Sequence, residues 1–313
     1  MNIIFGPITS RRFGVSLGID LSPSKKQCNF DCLYCELSPA LTVDKQDDIL
    51  SVEEIISALK DALEIHKNID VITLTANGEP TLYPYLDELI MEIDKIKGKA
   101  QTLILTNSAN LVDKNIYNSL LKLDQVKLSL DAVSKEIFTK IDRPHEEIDI
   151  DKLITSVISF SHEFQGELFM EILFVNGLND SKEEIALLNT VLKRIKASRI
   201  DLGTIDRPSA YEVAKVPYNR LIEISKEFDK ELAIHIASRN RQTPTLSHYS
   251  KDEIINTLDK RPLTQIDIEN LFDSESRSAL EALIKEGKII IKTQGNLEFY
   301  IPKNNQVRKL KKK

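Results

Sequence analysis

Short apolar, β-branched runs alternate with longer amphipathic stretches through most of the chain, and no other feature restricts the fold as much. The strand-like runs are residues 15–21, 71–76, 101–106, 126–131, 169–175, 199–203 and 232–236. Helical periodicity fills residues 52–67, 83–97, 150–163 and 181–196 between them. Regular strand–helix alternation predicts a parallel α/β sheet covered by helices. Repeated this often, it predicts a partial or complete (β/α) barrel rather than a small open sheet. In such barrels chemistry collects at the C-terminal ends of the strands. There the sequence places Asn77, Glu79, Asn107, Ser129, Asp131, Asn176, Asn179, Thr204 and Asp206.

The pattern changes near residue 245. Residues 242–250 contain Pro244 and several hydroxyl side chains, and read as a linker. Helical patterns follow at 251–259, 264–272 and 274–286, then strand-like runs at 288–292 and 297–301 around a Gly295-Asn296 turn. Three helices and a hairpin are the order of a winged helix-turn-helix. The expected organisation is a barrel over residues 1–242, a winged-helix-like domain over 251–302, and a basic, disordered tail over 303–313.

Hydrophobic residues make up 42% of the 313 and charged residues 29%, which excludes an intrinsically disordered chain. No apolar run reaches the 18 or so residues of a membrane span. The opening MNIIFGPITSRRFG lacks the apolar core of a signal peptide. A net charge of −6 argues against a surface coated for nucleic acid. A cytoplasmic protein, not a membrane protein, is expected.

All three cysteines fall in Cys28-Asn-Phe-Asp-Cys32-Leu-Tyr-Cys35. An odd number in one short segment is not a disulfide framework, and suits a ligand set in a reducing cytoplasm. Three thiolates can hold three irons of a [4Fe–4S] cluster and leave the fourth iron open, where electron-transfer clusters use four cysteines. Structural zinc takes four ligands, often as two separated pairs. No second cysteine pair exists here, and the nearest histidine is His66. Inert packing leaves unexplained why every cysteine shares one segment with Asp31 and Tyr34. The cluster reading is favoured, with zinc and packing as its alternatives.

The spacing of Cys28, Cys32, Tyr34 and Cys35 resembles the C-x3-C-x-aromatic-C signature of the radical S-adenosylmethionine (SAM) superfamily. Asn77-Gly78-Glu79-Pro80 resembles its G-G-E-P element, Thr106-Asn107-Ser108 its T-N-G element, and Ser129-Leu130-Asp131-Ala132 a further strand end. Residues 6–12 and 140–145 resemble a branch of Fe–S oxidoreductases related to the tRNA wyosine-synthesis radical enzyme.

The resemblance implies that Cys28, Cys32 and Cys35 hold a [4Fe–4S] cluster whose open iron chelates SAM. It gives Glu79 the SAM ammonium, Gly78 a close backbone approach and Pro80 the exit of the strand. Tyr34 would lie near adenine, Asn107, Ser129 and Asp131 near ribose or methionine, and Asn176, Gly177 and Asn179 near adenine and ribose. Arg143 would meet the SAM carboxylate. Each of these also has an ordinary structural explanation, as a cap, turn bond or packing contact. The implied reaction is reductive cleavage of SAM to methionine and a 5′-deoxyadenosyl radical, which takes hydrogen from a substrate.

Arg11, Arg12, Lys25, Lys26, Arg207, Arg239 and Arg241 read as a basic rim, set against the alternative of a solvated face. Such a rim suits a phosphate-bearing substrate or an acidic electron donor such as flavodoxin or ferredoxin. The wyosine enzyme carries a second iron–sulfur site, and no cysteine remains here for one. Its radical chemistry therefore carries over and its substrate does not. Residues 251–302 carry a net −3, whereas Lys303, Arg308, Lys309, Lys311, Lys312 and Lys313 give the tail +6. RNA, tRNA included, is the expected substrate class. A small molecule or peptide is the alternative, and a zinc-containing nucleic-acid-binding regulator is the alternative of another class.

Overall fold

The computed structural model describes residues 3–10, 13–236, 246–294 and 297–303. One sheet holds eight strands in chain order: β1 (Ile4–Ser10), β2 (Gly14–Asp20), β3 (Val71–Thr75), β4 (Gln101–Thr106), β5 (Gln125–Ser129), β6 (Glu167–Phe174), β7 (Arg199–Thr204) and β8 (Ile234–Ile236). β1 and β2 are antiparallel, and every later neighbour is parallel. Among the described residues β1 and β8 do not pair, so the sheet has two edges.

Helices α1 (Val52–Ile65), α2 (Leu86–Ile96), α3 (Lys114–Leu120), α4 (Lys135–Ile141), α5 (Ile150–Glu163), α6 (Lys182–Leu192) and α7 (Tyr218–Glu227) lie between the strands. α1 starts at a capping box, in which Ser51 and Glu54 satisfy each other's backbone N–H groups. α2 starts three residues later than the periodicity predicts. Pro84 cannot continue a helical hydrogen-bond ladder, and buried Tyr83 instead donates its hydroxyl to the Leu50 carbonyl at 2.8 Å.

Strand and helix burial meet in one main core, in which Ile19, Leu74, Ile104, Leu128, Ile172 and Leu202 pack with Ile55, Leu89, Leu153 and Leu188. Each such side chain contributes roughly 1.5–3 kcal/mol on burial. Alternate strand residues face the other way. There Ser16 bonds Thr73, Lys127 pairs with Glu171, and the Arg199 guanidinium lies over Phe169.

The remaining elements are α8 (Lys251–Lys260), β9 (Leu263–Thr264), α9 (Gln265–Leu271), α10 (Ser274–Lys285), β10 (Ile289–Gln294) and β11 (Leu297–Pro302). Their strands form a small antiparallel sheet in the order β10-β11-β9. They have their own apolar core, built on Ile254, Leu258, Phe272, Leu280 and Leu283, which Ile8 and Phe5 of β1 join. The Tyr249 hydroxyl donates to the Pro7 carbonyl of the same strand. α8 thus covers the outer side of β1. Its first turn meets α1 through Glu253 and His66, 3.3 Å apart, and its last residue, Lys260, pairs with Asp20 at the end of β2. No helix among the described residues is long and apolar enough to cross a membrane.

Candidate functional site

The loop between β2 and α1 carries Cys28, Cys32 and Cys35 as free, half-buried thiols. It is fixed on one side to the turn after β3. Gln27 N donates to Asn77 O, and Glu79 N donates to Gln27 O, both at 3.0 Å. The Gln27 side chain is buried and fully used. Its amide nitrogen donates to Ser22 Oγ and Asp48 O, and its oxygen accepts from Asp47 N and Asp48 N. Gly78 sits at φ +140°, where a Cβ would lie 1.9 Å from Gln27 O. Only glycine lets the two segments close to this distance.

On the other side the loop rests on the segment after α4, which the sequence singled out. Asp31 N donates to Asp142 O at 3.1 Å, Leu33 N to Ile141 O at 2.8 Å, and His145 N to Asn29 O at 2.7 Å. A third segment comes from the connection between β7 and α7. Ala210 N donates to Cys35 O at 2.7 Å, and the Tyr211 hydroxyl donates to Asp31 Oδ2 at 2.5 Å.

Burial pushes the Cys28 thiol up to about 12, with the Glu79 carboxylate adding to the effect. It raises Cys32 and Cys35 as well. In the metal-free chain all three are therefore thiols at neutral pH, and a metal must displace their protons. Burial works against the charge of Lys26, but Cys35 and Cys28, once they lose their protons, and Asp31 hold its pKa above the ordinary lysine range. A fixed cation beside three sulfurs suits an anionic thiolate group. Among the described residues no three His, Cys, Asp or Glu side chains converge on a single metal ion. A cubane cluster takes one thiolate at each of three separate irons. The donor set fits the cluster.

Glu79 is buried, and its carboxylate is turned inward. Oε1 accepts from Thr81 N at 3.0 Å and from the Thr81 and Thr106 hydroxyls at 2.6 Å, while Oε2 accepts from Asn107 N at 2.8 Å. Burial raises its pKa, and these hydrogen bonds pull it back. The residue given to the SAM ammonium on sequence thus ties the end of β3 to the end of β4. Pro80 opens a short 3-10 turn with Glu79 as its cap.

Tyr34, Asn107, Ser129 and Asp131 come together, with Phe30 and Asp142, around a cavity of about 50 Å³. Tyr34 donates its hydroxyl to Asp131 Oδ2, and Asp131 Oδ1 accepts from Leu173 N at 2.7 Å. Asn107 also donates to Asn29 Oδ1 at 2.6 Å, and Asn29 donates to Asn110 Oδ1 at 3.1 Å. Asn29 and Asn110 line a second cavity, of about 190 Å³, with His145 and Lys152. Sequence reading did not single out Gln27, Asn29 or Asp142 by role, although Asn29 lies inside the cysteine motif.

Asn176 is exposed and outside both cavity linings, with its N–H donating to Ala214 O. Asn179 is buried and structural, bonding Val175 N, Asp131 O and Leu173 O. Arg143 is engaged by Asp31 at 3.4 Å and lies over the Tyr211 ring. Of the basic rim, the three described members are paired: Lys25 with Asp47, Lys26 with Asp31, and Arg207 with Glu36. Arg11, Arg12, Arg239, Arg241 and residues 304–313 lie outside the described residues.

A cysteine loop clamped on a glycine–glutamate turn, at the C-terminal ends of a mostly parallel sheet, defines a class. The model of the radical SAM superfamily matches residues 23–188, and the chain belongs to that superfamily of enzymes. Enzymes of the superfamily use a [4Fe–4S] cluster and SAM. Among its relatives, the UPF0026 protein of Helicobacter pylori is 41% identical over 300 residues, covering 95% of this chain and 97% of the relative. The fold is similar to that of Streptococcus suis SuiB, with a TM-score of 0.54 at 18% identity over 72% of this chain and 51% of that one. It is also similar to that of TYW1 with a lysine-pyruvate adduct bound, with a TM-score of 0.52 at 18% identity over 69% and 74% of the two chains.

Proposed function

We propose that this enzyme holds one [4Fe–4S] cluster through Cys28, Cys32 and Cys35 and cleaves SAM reductively beside it. The observation that carries the reading is the docking of the cysteine loop, through Gln27, onto the turn Asn77-Gly78-Glu79. When bound, the cluster supplies one electron that breaks a carbon–sulfur bond of SAM, giving methionine and a 5′-deoxyadenosyl radical. The chain's own residues do the rest. Glu79 and Gln27 fix the turn against the loop, Lys26 offsets the thiolate charge, and Tyr34, Asn107, Ser129 and Asp131 offer the nucleoside hydrogen-bond partners beside the loop.

For the substrate we extend the reading to RNA. Residues 251–302 hold three helices and the β10–β11 pair, which we read as a winged helix, and residues 303–313 carry a net +6, which would add a salt-dependent phosphate contact. An acidic one-electron donor such as flavodoxin or ferredoxin is the expected protein partner.

Anaerobic reconstitution with iron and sulfide tests the core of the reading. We expect about four irons per chain, and 5′-deoxyadenosine once SAM and a strong reductant are added. Cys32→Ala should lose both. A reduced, iron-loaded protein that binds no SAM would overturn the assignment.

A further inference from the structure

We propose that Lys260, in the C-terminal elements, is a positioning residue for the SAM site and acts through Asp20. The inference rests on the reading of the cysteine loop and the Gly78–Glu79 turn as that site. Asp20 ends β2 and is 1% exposed, and the Lys260 side chain is 12% exposed. The two form an ion pair between Lys260 Nζ and Asp20 Oδ2. The other oxygen, Oδ1, accepts from Ser22 N at 2.9 Å and from Asn77 N at 2.7 Å. One carboxylate thus grips the start of the cysteine loop and the start of the glycine–glutamate turn together. Ser22 passes the constraint on, because its hydroxyl donates to Lys25 O and accepts from the Gln27 side chain. Gln27 is the residue that meets Gly78 and precedes Cys28.

A buried carboxylate keeps its charge and geometry only if a counter-charge compensates for lost solvation. Lys260 supplies that charge from the side opposite the two N–H donors. Without it Asp20 must rotate toward water or admit water, and either change loosens its hold on Asn77 N and Ser22 N. The turn has no slack to absorb the change, since Gly78 already packs on the Gln27 backbone closely enough to exclude a Cβ. The expected result is misplacement of the turn relative to the loop, with the cysteines themselves untouched.

A clamp that only fastened α8 to the sheet would behave differently. Its loss would lower the melting temperature and leave SAM affinity alone. The full-length, reconstituted protein separates these cases in Lys260→Gln, Lys260→Arg and, as a control on the same helix, Lys251→Gln, which removes a surface ion pair with Glu286 at the end of α10. Iron content, melting temperature and the equilibrium SAM dissociation constant are measured for each. We expect wild-type iron content in all three. SAM should bind at least tenfold more weakly to K260Q, about 1.4 kcal/mol, and within threefold of wild type to K260R and K251Q. If K260Q does not fold, the double variant D20A/K260Q, which buries no unpaired charge and takes away the acceptor of Ser22 N and Asn77 N, is judged by the same tenfold criterion. Wild-type SAM affinity in the neutral variant, or equal weakening in K251Q, overturns the inference. An iron-loaded wild type that binds no SAM overturns the underlying site reading as well.

Discussion

Replacing Gly78 by alanine tests the docking of the cysteine loop directly. Two costs combine. A β-carbon at φ +140° is strained by about 1–3 kcal/mol. The same atom would sit 1.9 Å from Gln27 O and 2.5 Å from its carbonyl carbon, both backbone atoms that no side-chain rotation can move aside. Relief requires the loop and turn to part, which breaks the Gln27–Asn77 and Glu79–Gln27 hydrogen bonds at about 0.5–1.5 kcal/mol each. The total is about 2–6 kcal/mol. Gly98 is the control, because it has φ +61° but nothing within 4 Å of the point where a β-carbon would stand. Gly98→Ala should cost only about 1–2 kcal/mol for the left-handed backbone. Urea unfolding of the metal-free chain and iron content after reconstitution measure both variants. We expect G78A to lose stability beyond G98A and to load little iron, whichever way the loop gives. A G78A protein that matches G98A in urea midpoint and carries a full iron load would refute the reasoning.

Two further outcomes are expected. Burial pushes Asp131 up to about 7, with the Glu171 carboxylate adding to it and Leu173 N–H and Tyr34 pulling it back. The folded chain then keeps a proton that the unfolded chain gives up near pH 4, so metal-free stability falls as pH rises from about 4 to 7, by at most about 1.4 kcal/mol per pH unit. Asp131→Asn should reduce that slope in urea titrations, and an unchanged slope would show that Asp131 does not carry it. Buried Glu184 accepts from Val133 N at 2.5 Å, Ser134 N at 3.0 Å and the Ser134 hydroxyl at 2.5 Å. Glu184→Ala should cost about 2–4 kcal/mol by orphaning these donors and leave iron loading intact, as calorimetry and iron analysis can show.

The strands from β2 to β8 were legible because their runs are short, apolar and evenly spaced. β1 was not, because Gly6-Pro7 reads as a break, and only its place at a sheet edge makes a proline tolerable there. α7 was missed too, for Tyr218–Glu227 buries only Leu221 and Ile224 and leaves a thin apolar stripe. The cysteines were legible as one motif, Asn107, Ser129 and Asp131 as strand ends, and Tyr34 through the family resemblance. The partners that hold these side chains were not legible. Glu79 faces inward because Thr81 and Thr106 offer donors, and Arg207 is neutralised by Glu36, 171 positions away. Pairings of that reach leave no periodic trace in a sequence.

The cover that α8 and Tyr249 place over β1 also has a consequence in time. Tyr249 and Pro7 are 242 positions apart, so β1 leaves the ribosome long before the residues that seal it. Until then Phe5 and Ile8 have no apolar partner from α8, and a free strand edge stands open to pairing with other chains. Nascent chains stalled before residue 250 should therefore be more prone to aggregate than the finished protein, and the last step of folding should be a slow, long-range closure rather than the assembly of the sheet.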